Sequence, residues 1–253
     1  LEPWSSEKIT SYVDLLPSDD AADLIAELRR HGIDDVVTLV PPGFGSVSPA
    51  GWGATQAEYR DWLTTELNAF DEIDLVGHDW GAGHVYGVLA HGGVSVRTWA
   101  ADCAGLLHPD YVWHDAAQGW QTAGVGEQMV AGMAAMDVDT MIAAFGALGI
   151  TEPIVRQMKP WLNDDMARCI LALYRSAAQP AMTELGQKFV AASPARGLVI
   201  IAENDHYAGA HEMHDEMAHA VGAAVSRLQA VGHWWMIENP VAGADMLTAH
   251  WAA

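Results

Sequence analysis

Asp79, Asp205 and His233 are of the residue types, and in the order, that a two-step nucleophilic reaction needs. Asp79 is the centre of Gly77-His78-Asp79-Trp80-Gly81, which follows a short apolar run, residues 73–76, and leads into a helix-forming stretch at 82–89. A strand that enters a helix through Gly-x-nucleophile-x-Gly turns sharply, and glycines flank the turn because larger side chains would collide with neighbouring backbone. The turn lifts the central side chain clear of the strand ends. It also sets that side chain above a helix N-terminus, which favours negative charge and offers the Trp80 N–H as a donor. A carboxylate is already ionised at neutral pH and attacks without a base. It can open an sp³ carbon bearing a leaving group, giving an ester whose carbonyl belongs to Asp79 itself. Hydrolysis of that ester then needs a water activated by a base.

His233, in Gly232-His233-Trp234-Trp235 after the strand expected at 225–228, is placed to be that base. Asp205 lies just beyond the apolar run 198–202, where a carboxylate would fix the imidazole tautomer and stabilise its charged form. Asp102, at the end of the strand expected at 96–101, is the alternative acid. The competing readings are a helix-capping Asp79 and a structural His233, and the strand context of all three residues weighs against them. His206, His211, His214 and His219 are metal-like in number, but their spacing makes no zinc motif, and a solvated helix face is the expectation. Gly124, Gly126 and Gly132 follow no strand, which argues against a dinucleotide site. No cofactor is expected.

Residues 9–16, 36–40, 73–76, 96–101, 198–202 and 225–228 read as strands, with 36–40 apolar enough to be buried on both faces. Helices are expected from a cap at Asp19 or Asp20 to Arg30, over 55–70, over 211–221, and from Pro240 after a cap at Asn239. Between about 106 and 189 the pattern is helical only. Strands alternating with helices imply a mostly parallel sheet, here interrupted by an inserted helical cap. The expected division is a core of residues 1–105 and 190–253 with a cap of 106–189.

The 253 residues carry a net charge of −21, which argues against nucleic acid and anionic membranes as partners. No apolar run reaches the roughly 20 residues of a membrane span, and Leu1-Glu2-Pro3-Trp4 shows no basic and apolar leader. A cytoplasmic location, with Cys103 and Cys169 as free thiols, is the expectation. Eleven tryptophans suggest a large, aromatic pocket for a neutral hydrophobic small molecule of moderate size. A homodimer is the one macromolecular assembly left open.

These residues resemble the α/β-hydrolases with an aspartate nucleophile, the epoxide hydrolases and haloalkane dehalogenases. Pro42-Gly43-Phe44-Gly45-Ser46 is similar to the family's Pro-Gly-x-Gly-x-Ser loop. Gly77-His78-Asp79-Trp80-Gly81 is the elbow both groups share, and Gly232-His233 with Glu238 and Pro240 resembles their ending. The resemblance implies an α/β-hydrolase fold and a cofactor-free hydrolase, foremost an epoxide hydrolase. A haloalkane dehalogenase, or a catalytically silent ligand-binding hydrolase fold, is the alternative. It also implies a donor for the leaving group. Residues 170–175 look like the cap helix that carries a proton-donating tyrosine, here Tyr174. The family's partner tyrosine is not evident, and Trp113, His114 and Trp120 occupy that region. For a halide, the donors would be the indoles of Trp80 and of Trp113 or Trp120. The family's early His-Gly oxyanion motif is replaced by Leu15-Leu16-Pro17-Ser18-Asp19, which puts the second oxyanion donor in question.

Overall fold

The computed structural model of the chain describes residues 9–13, 21–192 and 194–253. Six strands form one sheet: β1 (Ile9–Val13), β2 (Val36–Leu39), β3 (Ile73–Gly77), β4 (Val96–Ala101), β5 (Arg196–Ala202) and β6 (Ala224–Leu228). Their order is β2-β1-β3-β4-β5-β6, and every neighbouring pair is parallel. The sequence places all six, differing only at their ends. The end of the strand expected at 9–16, the cap at Asp19 or Asp20, and the stretch Leu15 to Asp19 lie outside the described residues.

The two-residue period of the strands divides the core between the faces of the sheet. Ile73 and Leu75 of β3, Trp99 and Ala101 of β4, and Val199 and Ile201 of β5 turn to one side. Val76, Ala100, Leu198 and Ile200 turn to the other. On the first side lie α2 (Gln56–Leu67), α3 (Trp80–His91) and α9 (Ala181–Ala192), with α2 and α9 both packed on α3. From Trp80 to Leu89, α3 is buried all round, because it runs between the sheet and those two helices. On the second side α1 (Ala22–Arg30) packs against α12 (Pro240–Ala252). The Asn239 side chain caps α12 by accepting from the Ala242 N–H at 3.1 Å, as the Asn-Pro pair predicts.

One strand differs from its expected environment. β2 is not buried on both faces: Thr38 is exposed and only Leu39 is fully buried. Among the described residues it pairs with β1 alone and so forms an edge of the described sheet, where apolar content overstates burial.

Between β4 and β5 the chain is helical: α4 (Asp115–Gln121), α5 (Val125–Ala135), α6 (Val138–Gly146), α7 (Glu152–Met158), α8 (Asp164–Ser176) and α9. Asn163 caps α8 by accepting from the N–H groups of Asp165 and Met166. Met166, Cys169, Ile170, Leu173 and Tyr174 fall on the buried face of α8 at helical spacing, so the phenol of Tyr174 is turned inward. After β5 and β6 come α10 (His211–Val221) and α11 (Trp235–Glu238). His214 of α10 is buried, with Nε2 at 3.1 Å from the Ala208 carbonyl, whereas His206 and His219 are exposed. The solvated histidine face expected there is therefore broken at its centre.

The β3–α3 turn leaves no room for a side chain at Gly77. A Cβ there would lie 2.8 Å from Ala82 Cα and 2.9 Å from both Ala82 N and the Gly81 carbonyl oxygen. These are backbone atoms that cannot rotate away. Gly77→Ala is expected to lose about 3 kcal/mol of stability or more, the severe end of overpacking, as read by the urea midpoint. A midpoint unchanged from the parent protein would mean that the turn is not held this tightly.

Candidate active site

Asp79 occupies the last position before α3 with φ +50° and ψ −123°, a backbone conformation that L residues rarely adopt. Its N–H donates to Asp102 Oδ1 at 3.0 Å. Asp102 is itself buried, and its Oδ2 accepts from His78 Nδ1 at 2.5 Å and from Trp235 Nε1 at 2.9 Å. Burial favours the neutral acid, but the charge and hydrogen bond of His78, with help from His233 and Trp235, hold the Asp102 carboxyl far below its usual range. Asp102 thus ties β3, the elbow and α11 together from beneath.

Asp102, the alternative acid, thus has its oxygens on the Asp79 N–H, His78 and Trp235, and no hydrogen bond joins it to His233 among the described residues. Asp205, on the loop after β5, accepts from His233 Nδ1 at 2.8 Å through Oδ2 and from the Tyr207 N–H at 2.8 Å through Oδ1. The opposite ring nitrogen of His233, Nε2, faces Asp79 Oδ1 at 3.7 Å. His233 therefore stands between two carboxylates. Burial works against its charged form, but the hydrogen bonds and charges of Asp205 and Asp79 override burial and raise its pKa well above the ordinary value. The Asp79 carboxyl is in turn held low: burial opposes ionisation, and His233 and the charge of His78 outweigh it.

Asp79 and His233 open on a cavity of about 20 Å³, which Trp80, Trp113, His114 and Tyr174 also line. Trp80 and Trp113 stack at 5.8 Å, and Tyr174 meets both edge-on at 5.2 and 5.6 Å. Trp80 is backed by His84, which is sandwiched against Tyr59 with ring centroids 4.8 Å apart. Burial drives the His84 pKa down to about 3, so the ring is a neutral wall. Burial, then the charge of Asp79, raises the Tyr174 pKa well above that of free tyrosine, so the phenol keeps its proton. His114 Nδ1 accepts from the Ala117 N–H at 3.4 Å, which leaves the neutral ring its proton on Nε2.

Two expectations need correction. Trp120 does not line the cavity; it packs against Tyr174 at 4.7 Å and serves as its backing. The large aromatic pocket is absent among the described residues at this site, because the rings fill the space by packing on one another. A volume near 20 Å³ holds about one water. The sequence reading also missed Cys103, Tyr111 and Tyr207 in the lining. Cys103 directly follows Asp102 and Tyr207 lies two residues beyond Asp205, and that closeness to the two acids was the available signal. Tyr111 is brought in by its hydroxyl, which donates to the Tyr207 carbonyl at 2.8 Å, a long-range bond with no local signature.

A family model described as the alpha/beta hydrolase family matches residues 11–246. The chain belongs to the α/β-hydrolase family. Its sheet order, elbow and the chain order of Asp79, Asp205 and His233 are those of the fold. Among solved structures, haloalkane dehalogenase DbeA from Bradyrhizobium elkani USDA94 is similar with a TM-score of 0.72 and 18% identity, over 98% of this chain and 92% of that one. The ancestral haloalkane dehalogenase AncHLD2 gives 0.73 and 16%, over 99% and 94%. An E-2-(acetamidomethylene)succinate hydrolase gives 0.66 and 16%, over 98% and 92%. At these identities the likeness speaks for the fold alone. A search of curated proteins gives no match. The family and the fold make this α/β-hydrolase a hydrolase in the broad sense. Among its described residues no single helix is long and apolar enough to cross a membrane.

The position of His233 between two carboxylates has a measurable sign. Each negative charge stabilises the imidazolium, so removing one must lower the pKa. Asp79→Asn is expected to lower the His233 pKa, because one of the two charges that stabilise the imidazolium is gone, in an NMR titration of the ring protons. An unchanged titration would show that Asp79 does not face His233 in solution.

Proposed function

We propose that the protein is a cofactor-free hydrolase that attacks a small, uncharged epoxide through Asp79 and releases a diol. The observation that carries this reading is the set of groups sharing one cavity: an ionised carboxylate, an imidazole backed by a second carboxylate, and a phenol that keeps its proton. Asp79 Oδ forms a bond to an epoxide carbon while the C–O bond breaks. The oxygen leaves with the electron pair and takes the Tyr174 proton. The ester carries no charge on Asp79, so the imidazolium loses one of its two stabilising partners and gives up its proton, which restores the phenol. Neutral His233 then takes a proton from water as the water oxygen attacks the Asp79 carbonyl carbon. The Trp80 N–H, at the first position of α3, is a donor for the resulting oxyanion. The stretch Leu15 to Asp19, which stands in place of the family's second donor, falls outside the described residues. Collapse returns the carboxylate and the second hydroxyl of the diol.

We infer that residues 106–189 act as a cap on a core of residues 1–105 and 190–253. With room for about one water, the site suits a substrate of few carbons, admitted by displacement of the cap helices.

A second reading has its own observation. Trp113 Nε1 is buried and has no acceptor among the described residues, a donor left unsatisfied at a cost of about 1–3 kcal/mol. Beside the Trp80 indole it would suit a departing halide, which accepts hydrogen bonds and needs no proton. Tyr174 separates the two readings. Tyr174→Phe should slow epoxide opening by about 10² or more and leave bromoalkane turnover nearly intact. Unchanged epoxide turnover would remove Tyr174 as the proton donor.

His233 separates the two steps. In His233→Gln, attack by Asp79 proceeds but hydrolysis stalls, so intact mass spectrometry should show a covalent adduct on the peptide bearing Asp79. An epoxide adds its whole mass; a haloalkane adds its mass less hydrogen halide. Normal turnover by this variant would contradict the ester route.

A further inference from the structure

The base and acid of the site share their place with a thiol that the proposed reaction does not use. Cys103 follows Asp102 at the end of β4, with its backbone at φ +53° and its side chain buried. One ligand-capable atom from each of Cys103, Asp205 and His233 lies within 4.8 Å of the other two. Among the described residues no other group of three or more histidine, cysteine or acidic side chains meets that spacing. The three arrive from three separate connections, after β4, β5 and β6, so the grouping is a product of the fold and not of a local sequence motif.

The donor set has a definite chemical preference. One sulfur, one imidazole nitrogen and one carboxylate oxygen are the ligand types of zinc-class ions, at about 2.0–2.3 Å from the metal. Atoms at those distances from a common tetrahedral centre stand roughly 3.3–3.8 Å apart, so an ion ligated by His233 Nδ1 and Asp205 Oδ2 must lengthen their 2.8 Å contact as it enters. Thiolate selects such ions over magnesium or calcium. Cys103 and His233 also border the cavity, which supplies a fourth position for water. Burial, then the charges of Asp102, Asp205 and Asp79, raise the Cys103 thiol pKa well above its ordinary value, so the thiol keeps its proton until a cation displaces it. The same carboxylates, and the −21 of the chain as a whole, attract that cation.

We propose that Cys103, Asp205 and His233 form an inhibitory site for a thiophilic divalent cation of the zinc class. Binding releases one proton from the thiol and one from the imidazolium to solvent, with no change in oxidation state. The ion takes a ring nitrogen of His233 and the Asp205 carboxylate that orients the ring, so the bound protein is inactive. This is a control on the reaction, not a step in it. The inhibition rests on the reading of His233 as the base; the metal site itself does not.

The test therefore has one arm without activity. Titration of the whole protein with Co²⁺ should develop a thiolate-to-cobalt charge-transfer band that saturates at one equivalent and is abolished by Zn²⁺. Cys103→Ser should lose the band, and Asp205→Asn, which keeps its shape, should weaken Co²⁺ binding by about tenfold or more. Absence of the band in the parent protein, or its persistence in Cys103→Ser, overturns the site. The second arm measures Zn²⁺ inhibition relative to each protein's own uninhibited rate. The half-inhibiting concentration should rise about tenfold or more in Cys103→Ser. Equal inhibition in both proteins, with the band present in the parent, overturns the claim that the site is inhibitory. A band in a protein inactive on every epoxide and bromoalkane would sink the proposed function and leave the metal site standing.

Discussion

The N–H of Asp79 points at Asp102 because the residue before α3 stands at φ +50°. Such a conformation costs on the order of 1–3 kcal/mol and persists only where the surroundings hold it. Here the surroundings are specific. Gly77 lets the strand pass Ala82 at contact distance, and Asp102 accepts from the elbow backbone, from His78 and from Trp235. The strain raises the carboxylate above the end of the sheet, where the loops after β5 and β6 can bring Asp205 and His233 to it. A relaxed backbone at residue 79 would carry the side chain away from His233, and the remaining groups would have nothing to act on.

Two carboxylates on one imidazole is the electrostatic counterpart of that geometry. In the resting state Asp79 and Asp205 together hold His233 as a cation, and a cation is no base. On the proposed route esterification removes the charge on Asp79, which leaves the imidazole with Asp205 alone, lowers its affinity for the proton and makes it a base at the stage when a base is needed. The division of labour also explains two acids where one would seem enough. Asp102 acts on the backbone of the nucleophile and Asp205 on the imidazole, and each has both oxygens engaged in that task.

Local order made much of this legible in the sequence. The apolar runs of β3, β4 and β5, the Gly-x-Asp-x-Gly elbow and the Asn239-Pro240 helix start all rest on interactions within a few residues. The pairing of Asp205 with His233 followed from chain order once the strands were placed. What the sequence left hidden depends on distance. The edge position of β2 is set by which strand it lacks as a neighbour, and apolar content does not encode that. Cys103 and Tyr111 enter the site through the meeting of separate loops. The eleven tryptophans suggested space, whereas Trp80, Trp113 and Trp120 spend their surface on Tyr174 and on each other, and the cavity is small for that reason.

The central claim is that the oxygen delivered to the substrate comes from Asp79, and that water attacks the protein. A single turnover in H₂¹⁸O, with enzyme in excess over an epoxide, tests it directly. The account predicts a first-turnover diol without the heavy isotope and one ¹⁸O in the peptide containing Asp79, with label reaching the product only in later turnovers. A first-turnover diol that carries ¹⁸O, with an unlabelled Asp79 peptide, would mean that water attacks the substrate itself, and the covalent route would be wrong.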